Sequence, residues 1–269
     1  MNTRVSGDWT PGSVALAVAH PGHELRLVSW IARVKPTVFI LTAGSRNGAG
    51  RTRVESSRLL VERLGATPGA LFGDHLDRDA YAWIMAGDEA RFTSLASDLA
   101  DSFVRQGVRT VVTDAWQLYN VVHDLWHLTV RAAVTLASNQ LGRAIQCLDY
   151  EVVPASMAAR AAGPVCYRHD LTPPEVAAKL GLAAEFPEIA DDVADVLRAG
   201  GAEFLASETL HELRPLVELF PQAGEKPLYE RYGEERVADG LYKSVLRWAH
   251  VEPIVPALQP ALQPLGVAV

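Results

Sequence analysis

The stretch that most constrains this chain is "SVALAVAHPGHELRLVSW", Ser13 to Trp30, an apolar run that breaks off into two histidines, a proline and a glutamate. Val14 to Ala19 is far shorter than the ~20 residues a membrane span requires and too apolar for a surface loop. It reads as an interior strand of a parallel sheet, buried on both faces. Pro21 stands where a helix can start, and "ELRLVSWIARV" continues with helical spacing. His20 and His23 therefore flank a strand-to-helix turn, the place where open α/β sheets bind ligands.

The pattern recurs through the first half. Strands are expected at Val14–Ala19, Thr37–Thr42, Thr110–Thr113 and, further on, in "QCLDYEVV", Gln146 to Val153. Helices are expected at Glu24–Val34, Arg53–Leu64, Ala90–Gln106 and Val122–Asn139. Short β-branched or apolar strands each followed by a helix predict an α/β fold: a Rossmann-like, doubly wound, mostly parallel sheet. The second half reads as extra C-terminal helices. "TPPEVAAKLGLAAEF" opens on prolines, "EIADDVADVLRAGGAEFL" runs to a break at Gly200–Gly201, and "GEERVADGLYKSVLRWAHV" sets Val237, Leu241, Val245 and Trp248 on one side of a helix. Tyr229, Tyr232 and Tyr242 are expected to pack that helix with their polar ends outward. The expected organisation is one domain over 1–269, with a sheet core at about 12–155, helical additions at about 170–255 and an extended tail at 256–269. Such a tail hangs free or lies on a neighbour, which leaves a homo-oligomer open.

Composition narrows the partners. With 25 basic and 32 acidic residues the net charge is −7, and no basic run is dense enough to track a nucleic-acid backbone. The N-terminus lacks the regions of a signal peptide. The expectation is a soluble, cytoplasmic protein that acts on a small molecule, away from membranes and nucleic acid. Cys147 and Cys166 match no CxxC or zinc-finger pattern and read as free thiols.

Three polar segments follow predicted strands and should gather at one sheet edge. They are "AHPGHE" with His20, His23 and Glu24; the glycine-rich "LTAGSRNGAGRTRVE"; and "VVTDAWQLYNVVHDLWH" with Asp114, His123, Asp124 and His127. Histidines three apart on a turn, and four apart on a helix face, have the spacing of zinc ligands. Arg51 and Arg53 could hold an anionic or hydroxyl-rich substrate, and a charged surface loop is an equal reading. Asp74, His75 and Asp77 in "FGDHLDRD" read as substrate contacts or as a solvated turn.

These residues carry a resemblance. "VALAVAHPGHE" resembles the "AHPDDE" signature of the PIG-L/LmbE-like N-deacetylases, zinc enzymes that remove acyl groups from amino sugars and related amines. "TVFILTAGSRNG" is similar to that family's second strand and loop, "RVESSRLLVERLGA" to the helix after it, and "VVTDAWQLYNVVHDLWHLTVRAA" to the segment bearing its "HPDH" motif. The likeness implies the same Rossmann-like fold over roughly 12–155 and zinc-dependent cleavage of an amide. It carries the ligand role to His20, with His23 in place of the family's ligand aspartate, and to His127, with His123 nearby. Because residues four apart face the same way, the exchange of His123 and His127 stays open. Gly22 stands where the family has its general base, leaving Asp114, Asp124, His123 and Glu24 as candidates for catalysis. Glu24 could instead brace the turn. Two other readings remain open: a non-hydrolytic member that binds a metabolite or partner, and a three-histidine redox or lyase enzyme using iron or another divalent transition metal.

Overall fold

Alternation along the strands divides the apolar residues between two covers of helix. The computed structural model describes residues 9–10, 12–44, 50–259 and 262, with the backbone alone at 50 and 51. Over these residues Val14–Val18 (β1), Thr37–Thr42 (β2), Thr67–His75 (β3), Thr110–Asp114 (β4), Gln146–Tyr150 (β5), Val165–Asp170 (β6) and Ser207–Glu212 (β7) form a seven-stranded sheet, ordered β3-β2-β1-β4-β5-β7-β6. β1 pairs in parallel with β2 and β4, β2 with β3, and β4 with β5, while β7 runs antiparallel to both β5 and β6. The helices are α1 (Val28–Val34), α2 (Gly50–Arg63), α3 (Asp77–Ala86), α4 (Glu89–Arg105), α5 (Val121–Leu141), α6 (Pro173–Ala184), α7 (Ala190–Leu205), α8 (Leu216–Leu219), α9 (Leu228–Ala238), α10 (Trp248–Val251) and α11 (Ile254–Leu258).

Ala15, Ala17, Phe39, Leu41 and Val111 pack against α3, α4, α5 and α11. Their strand neighbours Val14, Leu16, Val18, Val38, Ile40 and Val112 face the other way, onto Trp30, Ile31 and Val34 of α1 and Val61 of α2. Each such side chain stabilises the fold by about 1.5–3 kcal/mol when fully buried. Helices on both faces make this the doubly wound, Rossmann-like sheet expected, with added C-terminal helices. β1 and β4 are neighbours whose chains lead off to opposite sides, so the crevice opens at their carboxyl ends, where His20 and Asp114 lie. Among the described residues no helix is long and apolar enough to cross a membrane.

Several expectations need correction. The second half is not helical alone, because β6 and β7 extend the sheet. β3 and α3 occupy a stretch with no assigned element, and the strand at Gln146 ends at Tyr150. The first helix begins as a 3-10 turn over His23–Leu27. There is no continuous helix from Gly233 to Val251: α9 stops at Ala238, where Gly240 takes φ 72° and the amides of Leu241 and Tyr242 turn back to the Arg236 carbonyl. The expected kink after Gly200 is present, at Gly201. Ile254–Leu258 is helical and packs in the core, so the chain is not extended from 256; residues 260–261 and 263–269 lie outside the described residues. Both cysteines are free thiols.

One buried bridge ties the second half to the turn after β1. Glu208 of β7 accepts hydrogen bonds from the Ser29 and Trp30 amides at the start of α1 (3.0 and 2.7 Å) and pairs with Lys179 of α6 at 3.1 Å. Lys179 also donates to the Arg26 carbonyl, and burial pulls its ammonium down to about 8.

Candidate functional site

The turn that follows β1 is held open by a glycine. Gly22 takes φ 98°, and its amide donates to Glu24 at 2.8 Å. The other Glu24 oxygen accepts from Ser57 of α2, a bond across the turn that leaves both carboxylate oxygens satisfied. Glu24 is fully buried, and burial raises its pKa. It braces the turn, with both oxygens engaged inside it.

His20 and His23 leave this turn in different directions of support. The His20 Nδ1–H donates to Thr42 Oγ1 at the end of β2 (2.7 Å), and the Thr42 hydroxyl donates to Asp77 at the start of α3. Asp77 Oδ1 is itself 3.3 Å from His20 Nδ1. The His23 Nδ1–H donates to Asp114 Oδ2 at the end of β4 (2.9 Å). Asp114 also accepts from the Ala19 amide and from the Tyr150 hydroxyl, both at 2.8 Å. Burial alone would raise the Asp114 pKa, but His23 and these donors hold it below its usual range. With Nδ1 engaged by these acceptors, Nε2 is the nitrogen each ring leaves for a ligand.

The third ring is His123, from the first turn of α5. Its centroid lies 4.9 Å from that of His20 and 4.5 Å from that of His23, and the latter two are 5.3 Å apart. Asn120 caps α5 by accepting the Val122 amide at 2.9 Å, which sets the helix start that delivers His123. Burial drives the His123 pKa well below the usual histidine value, with the Arg53 guanidinium acting in the same direction, so the ring is neutral at pH 7.

The expected third ligand, His127, stands apart from this trio. It is fully buried one turn further along α5, with Nδ1 donating to the Asp114 carbonyl at 2.8 Å and its ring edge-on to Trp116. Its Nε2 has no partner, and burial holds its pKa down to about 3. Four residues along a helix here separate a ring at the crevice from one in the core. Asp124 is also turned away: it accepts the Gln117 and Leu118 amides (3.0 and 3.2 Å), closing the loop after β4, and burial raises its pKa to about 8. Asp74 is exposed and accepts the Phe72 amide at 2.7 Å, a local contact within β3. Arg53 reaches the turn, donating to the Pro21 carbonyl at 2.8 Å and approaching Asp192 at 3.7 Å. The Arg51 side chain, and residues 45–49 of the glycine-rich loop, lie outside the described residues. Tyr150 is a site residue that no motif marks, and Thr42 lies in the strand-and-loop segment that carries part of the family resemblance.

Among the described residues no group of three or more histidine, cysteine, aspartate or glutamate side chains is arranged to hold a metal ion as it stands. The three rings meet edge to face or tilted, rather than around a common point. A cavity of about 240 Å³ lined by His75, Asp98 and Arg105, between β3 and α4, includes none of them.

No protein-family model matches the sequence, and no curated protein matches it. Solved structures share part of the fold. The zinc-inhibited form of teicoplanin deacetylase Orf2 is 12% identical, with a TM-score of 0.44 over 65% of this chain and 84% of that one. The conserved protein TT1542 from Thermus thermophilus is 19% identical, with a TM-score of 0.47 over 76% and 95% of the two chains. A deacetylase–teicoplanin complex is 11% identical, with a TM-score of 0.45 over 75% and 100%. Likenesses at this level say nothing of this chain's activity.

Proposed function

We propose that this chain is a metal-dependent amide hydrolase of the PIG-L/LmbE-like kind, acting on an N-acyl group of a small molecule at the crevice between β1 and β4. The observation that carries the reading is the meeting of His20, His23 and His123, two of them fixed in one tautomer by buried acceptors. Imidazoles whose Nδ1–H is held by a carboxylate or hydroxyl, and whose Nε2 is free, are the donors that zinc sites use. The third ring is neutral, as a ligand must be. The donor chemistry thus fits a divalent ion, zinc first and iron as the other metal suited to neutral nitrogen donors. Loading would have to turn the rings towards one point, since they do not converge as they stand.

His20, His23 and His123 would hold the ion, which would supply Lewis acidity, polarising an amide carbonyl and lowering the pKa of water. The chain's own groups do the rest. Thr42 and Asp77 hold His20, and Asp114 with Tyr150 holds His23. Gly22 cannot accept a proton, and the space a side chain would occupy there is bounded by Ile189 at 3.0 Å and Arg53 at 3.8 Å. Glu24, Asp114 and Asp124 are almost wholly buried and hydrogen-bonded. Asp77, with 18% of its side chain exposed, is the site carboxylate that water can reach, and in this reading it takes the proton.

The test is direct. Protein stripped with a chelator and reloaded with zinc should release free amine from a panel of N-acyl amines and amino sugars, and the stripped protein should not. Equal turnover by stripped and loaded protein, or none by either across the panel, would overturn the reading.

A further inference from the structure

The turn that carries His23 is joined to α1 through side chains from the far end of the sequence. His23–Leu27 is a 3-10 turn that runs directly into Val28–Val34, and neither segment has a side-chain cap of its own. In an unbroken α-helix the Trp30 amide would reach back to the Arg26 carbonyl. Here the Trp30 amide goes to Glu208 Oε2 at 2.7 Å, and the Ser29 amide to Glu208 Oε1 at 3.0 Å. The Arg26 carbonyl accepts from Lys179 at 2.7 Å, and the two side chains close the gap as an ion pair at 3.1 Å. Each charge meets the backbone end that attracts it, the carboxylate on helix-opening amides and the ammonium on a turn carbonyl.

The same turn is fastened on its other sides. Tyr150 donates to the His23 carbonyl at 3.3 Å, with the hydroxyl that also holds Asp114. The Arg26 guanidinium donates to the Glu151 carbonyl at 3.2 Å and to the Phe204 carbonyl of α7 at 2.7 Å, and lies 3.7 Å over the Phe204 ring. Residues 23, 26, 29 and 30 are therefore all anchored, and three of these four are anchored by α6, α7 or β7. The Lys179 and Glu208 side chains are only 3% and 0% exposed. A buried ion pair seldom stabilises a fold more than apolar side chains of the same size would. This one is spent on the backbone of a single turn, where it fixes direction.

We propose that Lys179 and Glu208 are positioning residues of the histidine site. Wedged between the Arg26 carbonyl and the Ser29 and Trp30 amides, they set the angle at which the His23 turn leaves α1, and so the meeting of His23 with Asp114. The second half of the chain is then part of the site, although it supplies none of the three rings. The effect on metal binding rests on the reading of the trio as a metal centre; the alignment of His23 on Asp114 does not.

Removing one partner alone would strand the other charge, so the test uses the neutral pair Lys179→Met with Glu208→Gln in the full chain. Phe103→Leu, in the core on the opposite face of the sheet, controls for a general loss of stability. The readouts are the ¹⁵N shifts of the His23 ring in metal-free protein and zinc affinity by chelator competition. The double variant should be folded by circular dichroism, its His23 Nδ1 shift should move towards that of a solvated imidazole, and zinc affinity should fall by about tenfold or more. Phe103→Leu should change neither. If the double variant does not fold, Glu208→Asp, which keeps both charges but draws the carboxylate back from the amides, should move the shift the same way. Unchanged His23 shifts in the folded variant, or an equal change in Phe103→Leu, would overturn the proposal. A moved shift in a chain whose wild type holds no zinc would uphold the positioning and overturn the metal-centre reading. A moved shift with equal zinc affinity would uphold the positioning and remove His23 from the ligands.

Discussion

His23 and Asp114 are joined by a 2.9 Å hydrogen bond between residues 91 positions apart, one leaving β1 and the other ending β4. The same carboxylate receives Ala19 and Tyr150, so a single fully buried group fixes the turn, the ring tautomer and the sheet edge together. Asp114→Asn places an NH₂ where one of three donors now points. Zinc affinity measured by chelator competition is expected to fall by about 10–100-fold, as for other groups that orient metal-bound histidines. Tyr150→Phe removes one donor only and should destabilise the fold by about 1 kcal/mol in urea unfolding. An Asp114→Asn protein with wild-type zinc affinity would mean that the bond does not orient a ligand.

Gly22 is required by its backbone. At φ 98° any side chain is strained, and a Cβ would come within 3.0 Å of Ile189. Gly22→Ala should cost about 1–3 kcal/mol in thermal or urea unfolding, and Gly22→Asp at least as much. Restoring the aspartate that the resembled family carries is therefore expected to lower stability without raising amide cleavage. A stable Gly22→Asp protein with increased turnover would contradict this.

Asp77→Asn separates proton transfer from metal retention. The amide can still accept from Thr42, so zinc content should stay near the wild-type level while turnover falls by about 10²–10⁴-fold. Loss of zinc in parallel with activity would instead limit Asp77 to holding His20 and remove it as the group that takes the proton.

Asp149 gives a pH signature. It is buried against His127, whose Nδ1 is 3.9 Å away, and burial lifts its pKa to about 8. The folded chain keeps a proton that the unfolded chain releases in the usual carboxylate range. This contribution to stability is complete at low pH and is lost as the pH climbs to about 8, with a limiting slope of about 1.4 kcal/mol per pH unit. Asp149→Asn should flatten the fall in urea-unfolding stability between pH 6.5 and 8. An unchanged slope would place the Asp149 pKa outside this window.

The sheet was legible because parallel strands buried on both faces are short apolar runs, and Val14–Val18 and Thr37–Thr42 are such runs bounded by turns. β3 escaped because "TPGALFGDH" carries a proline and two glycines and sits at the sheet's edge, where a regular apolar run is not needed. Without that strand Asp77 reads equally as a substrate contact or as part of a solvated turn, since only the strand before it brings it to His20. β6 and β7 are antiparallel additions with mixed exposure, so they lacked the run that marks an interior strand. His20 and His23 could be read from their turn. The choice between His123 and His127 could not, since four-residue spacing puts two side chains on one helix face without saying which end reaches the crevice and which meets Trp116 and the core.

The ligand set is what the zinc content of two variants tests most directly. Wild-type protein, stripped and dialysed against zinc, should retain about one equivalent by atomic emission. His123→Ala should retain none, while His127→Gln, whose amide can still donate to the Asp114 carbonyl, should retain it, with both proteins folded by circular dichroism. Retention by His123→Ala together with loss from His127→Gln, or a wild-type protein that holds no zinc, would contradict the assignment of His20, His23 and His123 as the metal-binding trio.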